Sequence, residues 1–503
     1  MDAAGSMYLA GQFQRSVDFN ASPTGATTMT ADNTAGCNQQ SFVMKLDLFA
    51  EPYWAGQFGN DVSNSSCGVY PRSIAVDGNG NVYTTGTFHL GPVDFDPGAG
   101  VANLVNIGSS TNVAFVSKLN SSGEFVWAYR IGSENVPGTL HDGALLGEAH
   151  ANSVAADGAG NVYVLGTFWG STSFQHAAGV TTLNSSRSEQ ARPDTFILKL
   201  NSSGEQVWLR QIEAPTGNRV MTPLSVAVDG SGNVYTAGDV GGGSTIDFDP
   251  SEGVANLTVS TAGQNAGNDV WILKLDSAGD YVWAKASECN GSSQSYITAG
   301  NDRSLAVDGS GNVHLVGRFE QRHYNDSEDC DFDPGPGEAF AFVGQIQSHF
   351  GFVWKLDSAG NYQWVKAFLK AEGQGVNNST SVHSVAVDGS GNVYSTGQFE
   401  GMVDFDPGEG TATMTGGPYN AGQNAFLSKL DSSGNYVWAK QFGTLTTKED
   451  GRQVALDGSG NVHLSGYIWT NAEVDYDPGA GVINLTDKEM FLVKLDSSGN
   501  LAP

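Results

Sequence analysis

The sequence predicts an all-β chain, a seven-bladed β-propeller of four-stranded antiparallel blades whose termini meet in an incomplete closing blade. Three observations predict it. A phrase of the form Ser-apolar-Ala-Val-Asp-Gly-Ser-Gly-Asn-Val-Tyr recurs along the whole chain. Glycine is abundant, 66 of 503 residues, while charged residues make up only 15%. No helical period of useful length is present, whereas short runs of period two are everywhere. Internal repetition at a fixed spacing is the sequence signature of repeat architectures, and a ring of repeats leaves few sheet edges exposed.

The repeats set the frame. The phrase begins at Ser73, Ser153, Ser225, Ser304, Ser384 and Gln453, and Met1–Tyr8 matches its second half. Its aspartates are Asp2, Asp77, Asp157, Asp229, Asp308, Asp388 and Asp457, spaced 69 to 80 residues apart. One propeller domain, 1–503, is therefore expected, with blades of about 1–67, 68–147, 148–219, 220–299, 300–378, 379–448 and 449–503. A linear β-solenoid is the other reading, but its coils are usually shorter than these repeats.

Each repeat reads as four strands. Strand a is the Ser-Val-Ala-Val-Asp run, and Gly-Ser-Gly-Asn supplies a tight turn with positive φ. Strand b follows as Val-Tyr-x-x-Gly. After a long variable segment, strand c carries a lysine in every repeat: Lys45, Lys118, Lys199, Lys274, Lys355, Lys429 and Lys494. Seven of 24 basic residues in one repeated place predict a fixed structural partner. An Asp-Ser-Ser-Gly-Asn turn leads to strand d, where Trp54, Trp127, Trp208, Trp283, Trp364 and Trp438 share one position. A large ring at one repeated position is expected to fill the same gap between blades each time.

The pattern Ala-Val-Asp-Gly-Ser-Gly-Asn-Val-Tyr with Lys-Leu-Asp-Ser-Ser-Gly-Asn-Tyr-Val-Trp-Ala-Lys resembles the bacterial β-propeller repeat called SBBP, and more weakly the NHL-type propellers. The resemblance covers nearly the whole chain. It implies a secreted or surface-attached protein and is almost silent on activity, because a fold does not give a function.

Charge narrows the function classes. The net charge of −29 argues against nucleic acid or anionic membrane as partner. No run of 18 apolar residues exists to span a bilayer, and the first 30 residues show no signal-peptide pattern. The nine histidines are scattered, with no pair at metal-ligand spacing and no nucleophile motif, so no catalytic residue is expected.

The sharpest non-structural candidate is Asp-aromatic-Asp-Pro between strands b and c. It supplies Asp94 and Asp96, Asp247 and Asp249, Asp331 and Asp333, Asp404 and Asp406, and Asp475 and Asp477. In an extended segment the two carboxylates face one side and the ring the other. With carbonyls, waters or a nearby Glu252, Glu338 or Glu409, such pairs would suit calcium. The same aspartates could instead cap turns or meet the strand-c lysine. The first repeat has Asp18-Phe19-Asn20 and the third Ser173-Phe174-Gln175, so these should bind poorly.

Four cysteines fall in loops on one face, in two local pairs, which predicts disulfides Cys37–Cys67 and Cys289–Cys330 and an oxidising compartment. Eleven Asn-x-Ser/Thr sequons occur; glycans are expected on some of Asn64, Asn184, Asn256, Asn290, Asn325, Asn378 and Asn484. Closure adds a last expectation. The first unit lacks most of strand a and the seventh lacks strand d, so either a preceding stretch or a neighbouring subunit would supply the missing strands. The function expected is a non-enzymatic structural or adhesive propeller at the cell surface, self-associating head-to-tail or by strand donation. A glycan-binding propeller is the alternative, and a polysaccharide lyase or hydrolase using the central channel the third.

Overall fold

The computed structural model describes residues 1–2, 4–19, 28–31, 40–47, 51–59, 68–89, 91–106, 112–132, 147–176, 179–186, 192–215, 220–241, 243–259, 268–289, 296–321, 330–341, 348–370, 378–418, 422–469, 474–479, 484–485 and 490–502. Among these residues all regular structure is β-strand, in a propeller-like arrangement of antiparallel sheets, those of the fifth and sixth repeats being joined by a parallel pairing of His349 with Ser379.

The sheets follow the repeats. In the second repeat Gly68–Val76, Val82–His89, Val113–Leu119 and Phe125–Ile131 pair in the order a-b-c-d. The third does so with Glu148–Ala156, Val162–Trp169, Asp194–Leu200 and Gln206–Ile212. Met221–Val228, Val234–Gly241, Asn268–Leu275 and Tyr281–Ala286 form the fourth, and Ser379–Val387, Val393–Glu400, Asn424–Leu430 and Tyr436–Phe442 the sixth. The fifth differs at its inner strand, which is split into Tyr296–Ala299 and Leu305–Val307 beside Val313–Gln321, Ser348–Leu356 and Tyr362–Lys370. The first repeat holds strands b, c and d, namely Met7–Phe13, Gln40–Leu46 and Pro52–Phe58. The seventh holds a, b and c, namely Glu449–Leu456, Val462–Ile468 and Met490–Leu495, plus one bridge from Leu495 to Leu501.

Local chemistry explains the turns. Between strands a and b the aspartate closes the hairpin: Asp388 Oδ1 accepts from Ser390 N and Asn392 N, both at 2.9 Å, and its Oδ2 from Asn392 Nδ2 at 2.8 Å. Only the second glycine of this turn takes positive φ, 81° at Gly391, so the first is not needed for left-handed backbone. Burial alone would raise the Asp388 pKa, but these hydrogen bonds outweigh it and hold the carboxyl below its usual range.

The cores lie between repeats, not within them. Tyr163, Leu165 and Ile197 of the third repeat pack with Met221, Val234 and Trp271 of the fourth, and the other consecutive pairs share clusters in the same way. Leu492 of the seventh repeat packs against Met7, Phe13 and Phe42 of the first. Each buried Val, Leu, Ile or Phe contributes about 1.5–3 kcal/mol.

A repeated polar contact fixes how consecutive sheets stack. Ser358 O, in the c–d turn of the fifth repeat, accepts from Trp283 Nε1 at 3.2 Å and from Lys274 Nζ at 2.9 Å, both in the fourth. Ser202, Ser277, Ser432 and Ser497 receive the same pair of donors from the repeat before each. The lysine partner expected from sequence is therefore a carbonyl of the next repeat. Lys45 departs from this pattern, meeting Asp2 at 3.6 Å while Trp54 still reaches Ser121 O.

This contact separates two contributions of the tryptophan. Trp283→Phe keeps most of the ring and removes the N–H, and should lower stability by about 1 kcal/mol in urea unfolding. Trp283→Ala should cost about 3–5 kcal/mol. Equal losses from the two would show that the indole hydrogen bond, and not the filled gap, carries the effect.

Candidate functional site

The Asp-aromatic-Asp segments form latches between repeats. In the second repeat Asp94 Oδ1 accepts from Asp96 N at 2.9 Å and Ala102 N at 2.8 Å, and Asp96 Oδ1 accepts from Gly98 N at 2.8 Å. Asp247 and Asp249, Asp331 and Asp333, and Asp404 and Asp406 repeat this set, and Asp475 and Asp477 repeat its two short-range bonds. The ring between them turns inward: Phe95, Phe248, Phe332, Phe405 and Tyr476 are all buried. Phe95 lies 5.3 Å from Phe58 at the end of the preceding repeat's strand d, and Phe405 lies 5.1 Å from Phe368 in the same relation. Backbone pairing joins the same places, with Asp404 opposite Leu369 and Asp331 opposite Glu288. A Cβ at Gly100, Gly253, Gly337 or Gly410 would strike the second aspartate's Oδ2, which is why the motif continues to a glycine.

These carboxylates thus work first as turn caps. Among the described residues no group of three His, Cys, Asp or Glu side chains is gathered for a metal ion. The third repeat, with serine in place of the first aspartate, still latches: Phe174 pairs with Ile131, and Gly132 N donates to Ser173 O at 2.9 Å. The aromatic and the strand pairing are the common element.

One latch is covalent. Cys289 and Cys330 face each other in the Glu288–Cys289 and Cys330–Asp331 strands and form a disulfide. Cys37 and Cys67 lie outside the described residues. Of the sequons, Asn184 and Asn256 are exposed. Asn378 is buried and its Nδ2 donates to Met402 O at 2.9 Å, so a glycan there would have to break that bond. Asn484 starts the short strand Asn484–Leu485, and Asn64, Asn290 and Asn325 lie outside the described residues.

The inner strands build the second feature. Strand a carries a β-bulge just before its serine in the second, third, fourth and sixth repeats and before Gln453 in the seventh. The serine is used structurally: Ser73, Ser153 and Ser384 Oγ accept from Val154, Val226 and Val454 N of the next repeat at 3.2–3.3 Å. The bulged residue changes from repeat to repeat: Arg72, Asn152, Leu224, His383 and Arg452. A bulge re-aims a side chain, so this ring of positions can vary without disturbing the sheets.

The fifth repeat places four residues, Gly300 to Arg303, between Ala299 and Ser304, where its neighbours place one. They reach across the inner strands. Asp302 O accepts from Ser153 Oγ at 3.1 Å and Ser225 Oγ at 3.0 Å, Asn301 N donates to His383 O, and Asn301 Nδ2 donates to Arg452 O. Asp302 Oδ2 is shielded without a hydrogen-bond partner, and burial raises this carboxyl above its usual range. A cavity of about 340 Å³ lined by Ile74, Val226, Leu305 and Val454 lies on the turn side of this crossing.

Sequence reading missed one pair here. Asp450 Oδ1 lies 3.0 Å from His383 Nδ1, and its Oδ2 lies 2.8 Å from Arg452 NH2. Histidine and carboxylate come from different repeats, 67 positions apart, and only the stacking of inner strands brings them together. His383 lies one residue before Ser384 and Asp450 three before Gln453, so only the stacking of neighbouring inner strands, not a shared place in the repeat, joins them.

The covalent latch has a titratable support. Asp269 Oδ1 accepts from Cys289 N at 2.8 Å, and burial pushes its pKa from 3.8 up to about 8. The folded chain then holds a proton that the unfolded chain releases near pH 4, so this contribution is full below pH 4 and is lost as pH rises through about 8. Asp269→Asn should flatten the fall in melting temperature between pH 5 and pH 8. A variant whose pH profile overlays the parent's would remove Asp269 from that dependence.

Comparison with known proteins bears on the architecture. A segment of 242 residues, 46% of this chain, is 29% identical to an uncharacterised WD repeat-containing protein, L264, of Acanthamoeba polyphaga mimivirus; it spans 16% of that protein. A protein of unknown function from Bacteroides caccae is similar at 11% identity and TM-score 0.24, covering 64% of this chain and 89% of its own. The exotype rhamnogalacturonan lyase YesX is similar at 13% identity and TM-score 0.22, covering 86% and 73%. Residues 54–87, which run from the first strand-d tryptophan through the second a–b hairpin, match the family model of the SBBP β-propeller repeat.

Proposed function

We propose that the chain closes as a seven-bladed ring and serves as a non-enzymatic structural or adhesive propeller outside the cell. One observation carries the reading: among the described residues, those held constant between repeats are spent on contacts between repeats. The serine carbonyls, the latches and the inner-strand serines each join one repeat to the next. Leu492 against the first repeat supports closure, and the Cys289–Cys330 disulfide supports an oxidising compartment.

A second reading, glycan binding, is favoured by Arg72, Asn152, Arg303, His383 and Arg452, polar side chains of different chemistry on the inner strands, with Leu224 the apolar exception. The His383–Asp450 pair belongs to the same inner strands and would give cleavage of such a glycan its starting point.

Electron micrographs of the purified chain should show seven-fold rings, alone or stacked into filaments. Open arcs or another blade number would overturn the ring, and binding on a glycan array by dispersed rings would move the reading to a lectin. Products released from a bound glycan would move it to an enzyme.

Calcium enters the proposal at the latches. The hydrogen bonds there use Oδ1 of each aspartate, so an ion would be held by the Oδ2 atoms, carbonyls and waters. With a net charge of −29, bound cations would relieve self-repulsion. Millimolar calcium should raise the melting temperature above that in chelator. Equal melting in both removes calcium from the proposal.

A further inference from the structure

The strand-b tyrosine acts as a bridge. Tyr83, Tyr163, Tyr235 and Tyr394 each donate from the phenol to the aspartate of their own a–b turn, at 2.9–3.3 Å. Tyr83 OH also lies 3.2 Å from Gly160 O, in the a–b turn of the next repeat. The strand-c lysine rests over the same ring, as Lys274 Nζ does 4.9 Å from the centre of Tyr235.

The fifth repeat has His314 in that place, and it makes none of these hydrogen bonds. His314 is fully buried, and neither Nδ1 nor Nε2 has a partner. Its ring does not reach Asp308, whose Oδ2 accepts from Asn312 Nδ2 at 2.8 Å. His463, in the same place of the seventh repeat, does reach its aspartate, with Nε2 3.4 Å from Asp457 Oδ2. His314 borders the joint with the sixth repeat: its strand partner Ala306 and its neighbour Trp364, 6.2 Å away, share a cluster with Val385 and Val387. Two charges face it, Asp308 from its own hairpin and Lys355 from strand c. Lys355 Nζ lies over the Trp364 ring, 5.8 Å from its centre. The next a–b turn carries Asp388, whose carboxylate is already held by Ser390, Asn392 and Tyr394. A proton added to His314 would thus create an imidazolium out of water, without a hydrogen bond and near an ammonium.

We propose that His314 makes the joint between the fifth and sixth repeats acid-sensitive, closed while the imidazole is neutral and opened by its protonation. Burial, and after it Lys355, lowers the His314 pKa from 6.5 to about 4, with Asp308 pulling the other way. The opened chain takes up the proton near pH 6.5 and the closed one only near pH 4, so this contribution is full above pH 6.5 and lost as pH falls through about 4. The far end of the joint responds in the opposite sense. There His349 pairs with Ser379 of the sixth repeat, and its Nε2 lies 2.9 Å from Glu320 Oε2, a contact that protonation of His349 strengthens. Acid therefore opens the joint from its turn side. Such a joint would loosen whether or not seven repeats close into a ring, and its behaviour is additional to the structural role proposed above.

The test compares unfolding of the 503-residue chain with that of His314→Tyr and His314→Phe at pH 7 and at pH 5. Tyrosine restores the phenol and phenylalanine does not, but neither side chain takes up a proton in this range. In both variants the folding equilibrium relative to the parent should therefore gain about tenfold or more from pH 7 to pH 5. Val385→Cys locates the opening. At pH 5 a thiol reagent should label it faster beside His314 than beside the tyrosine variant, with the site mapped by mass spectrometry. Val154→Cys, its counterpart between the second and third repeats, should label equally in both backgrounds. Parallel pH profiles for parent and variants would overturn the proposal, as would equal labelling of Val385→Cys in the two backgrounds.

Discussion

The architecture depends on one shared acceptor. A serine carbonyl in five of the c–d turns has two lone pairs, and the preceding repeat supplies both donors, an indole N–H and an ammonium. The ammonium would be costly to leave unpaired where it sits: Lys118 and Lys274 are buried. It is answered from several sides. Lys118 Nζ lies over the Tyr83 ring, 5.2 Å from its centre, while Tyr83 OH donates to Asp77 at 2.9 Å. Aspartate, tyrosine, lysine, tryptophan and the turn serine therefore act as one unit spread over strands a to d and the next repeat. The unit tolerates change at some members: His314 and His463 take the tyrosine place in the fifth and seventh repeats, and the acceptor is a main-chain carbonyl rather than the serine side chain.

The opposite side of each sheet is held differently. There the aromatic of Asp-aromatic-Asp enters the gap beside the preceding strand d, and the aspartates cap the turn that presents it. The two devices pull on the same interface from its two ends, and apolar side chains fill the middle. In the fourth and fifth repeats a disulfide joins the same two segments that backbone pairing joins at Leu369 and Asp404. Cross-linking segments 41 residues apart restricts the unfolded chain more than it adds contacts to the folded one.

Much of this was legible in the sequence, and the reason is periodicity. Strand order, the a–b and c–d turns and the Cys289–Cys330 pair follow from local patterns counted along the chain. What the lysines touch was not legible, because a carbonyl carries no residue signature; only the geometry of stacking shows that Ser358 O and not a carboxylate receives Lys274. The same limit hid the pairing of His383 with Asp450 and the crossing by Asn301 and Asp302. Four residues in place of one look like ordinary loop variation until the inner strands are assembled around them. The aspartate motif was legible as chemistry but not as a role, since the turn-cap and cation readings call for the same residue types.

A division of labour follows between constant and variable positions on the same strand. The inner-strand serine and the strand-b glycine are fixed by neighbours: one hydroxyl spans to the next repeat, and one absent Cβ makes room for a carbonyl. The residue carried on the bulge meets the next repeat in a different way each time: Arg72 NH1 donates to Asn152 Oδ1, Asn152 Nδ2 to Pro223 O, and Leu224 packs against the core. It is arginine, asparagine, leucine, histidine and arginine again in the bulged repeats. A bulge frees a side chain from the alternation that would otherwise bury or expose it with its strand. Substitution there changes the chemistry of the inner strands while leaving the latches and shared carbonyls intact. If the proposed ring reads a ligand, these varied side chains and not the repeated residues are the ones that would distinguish it.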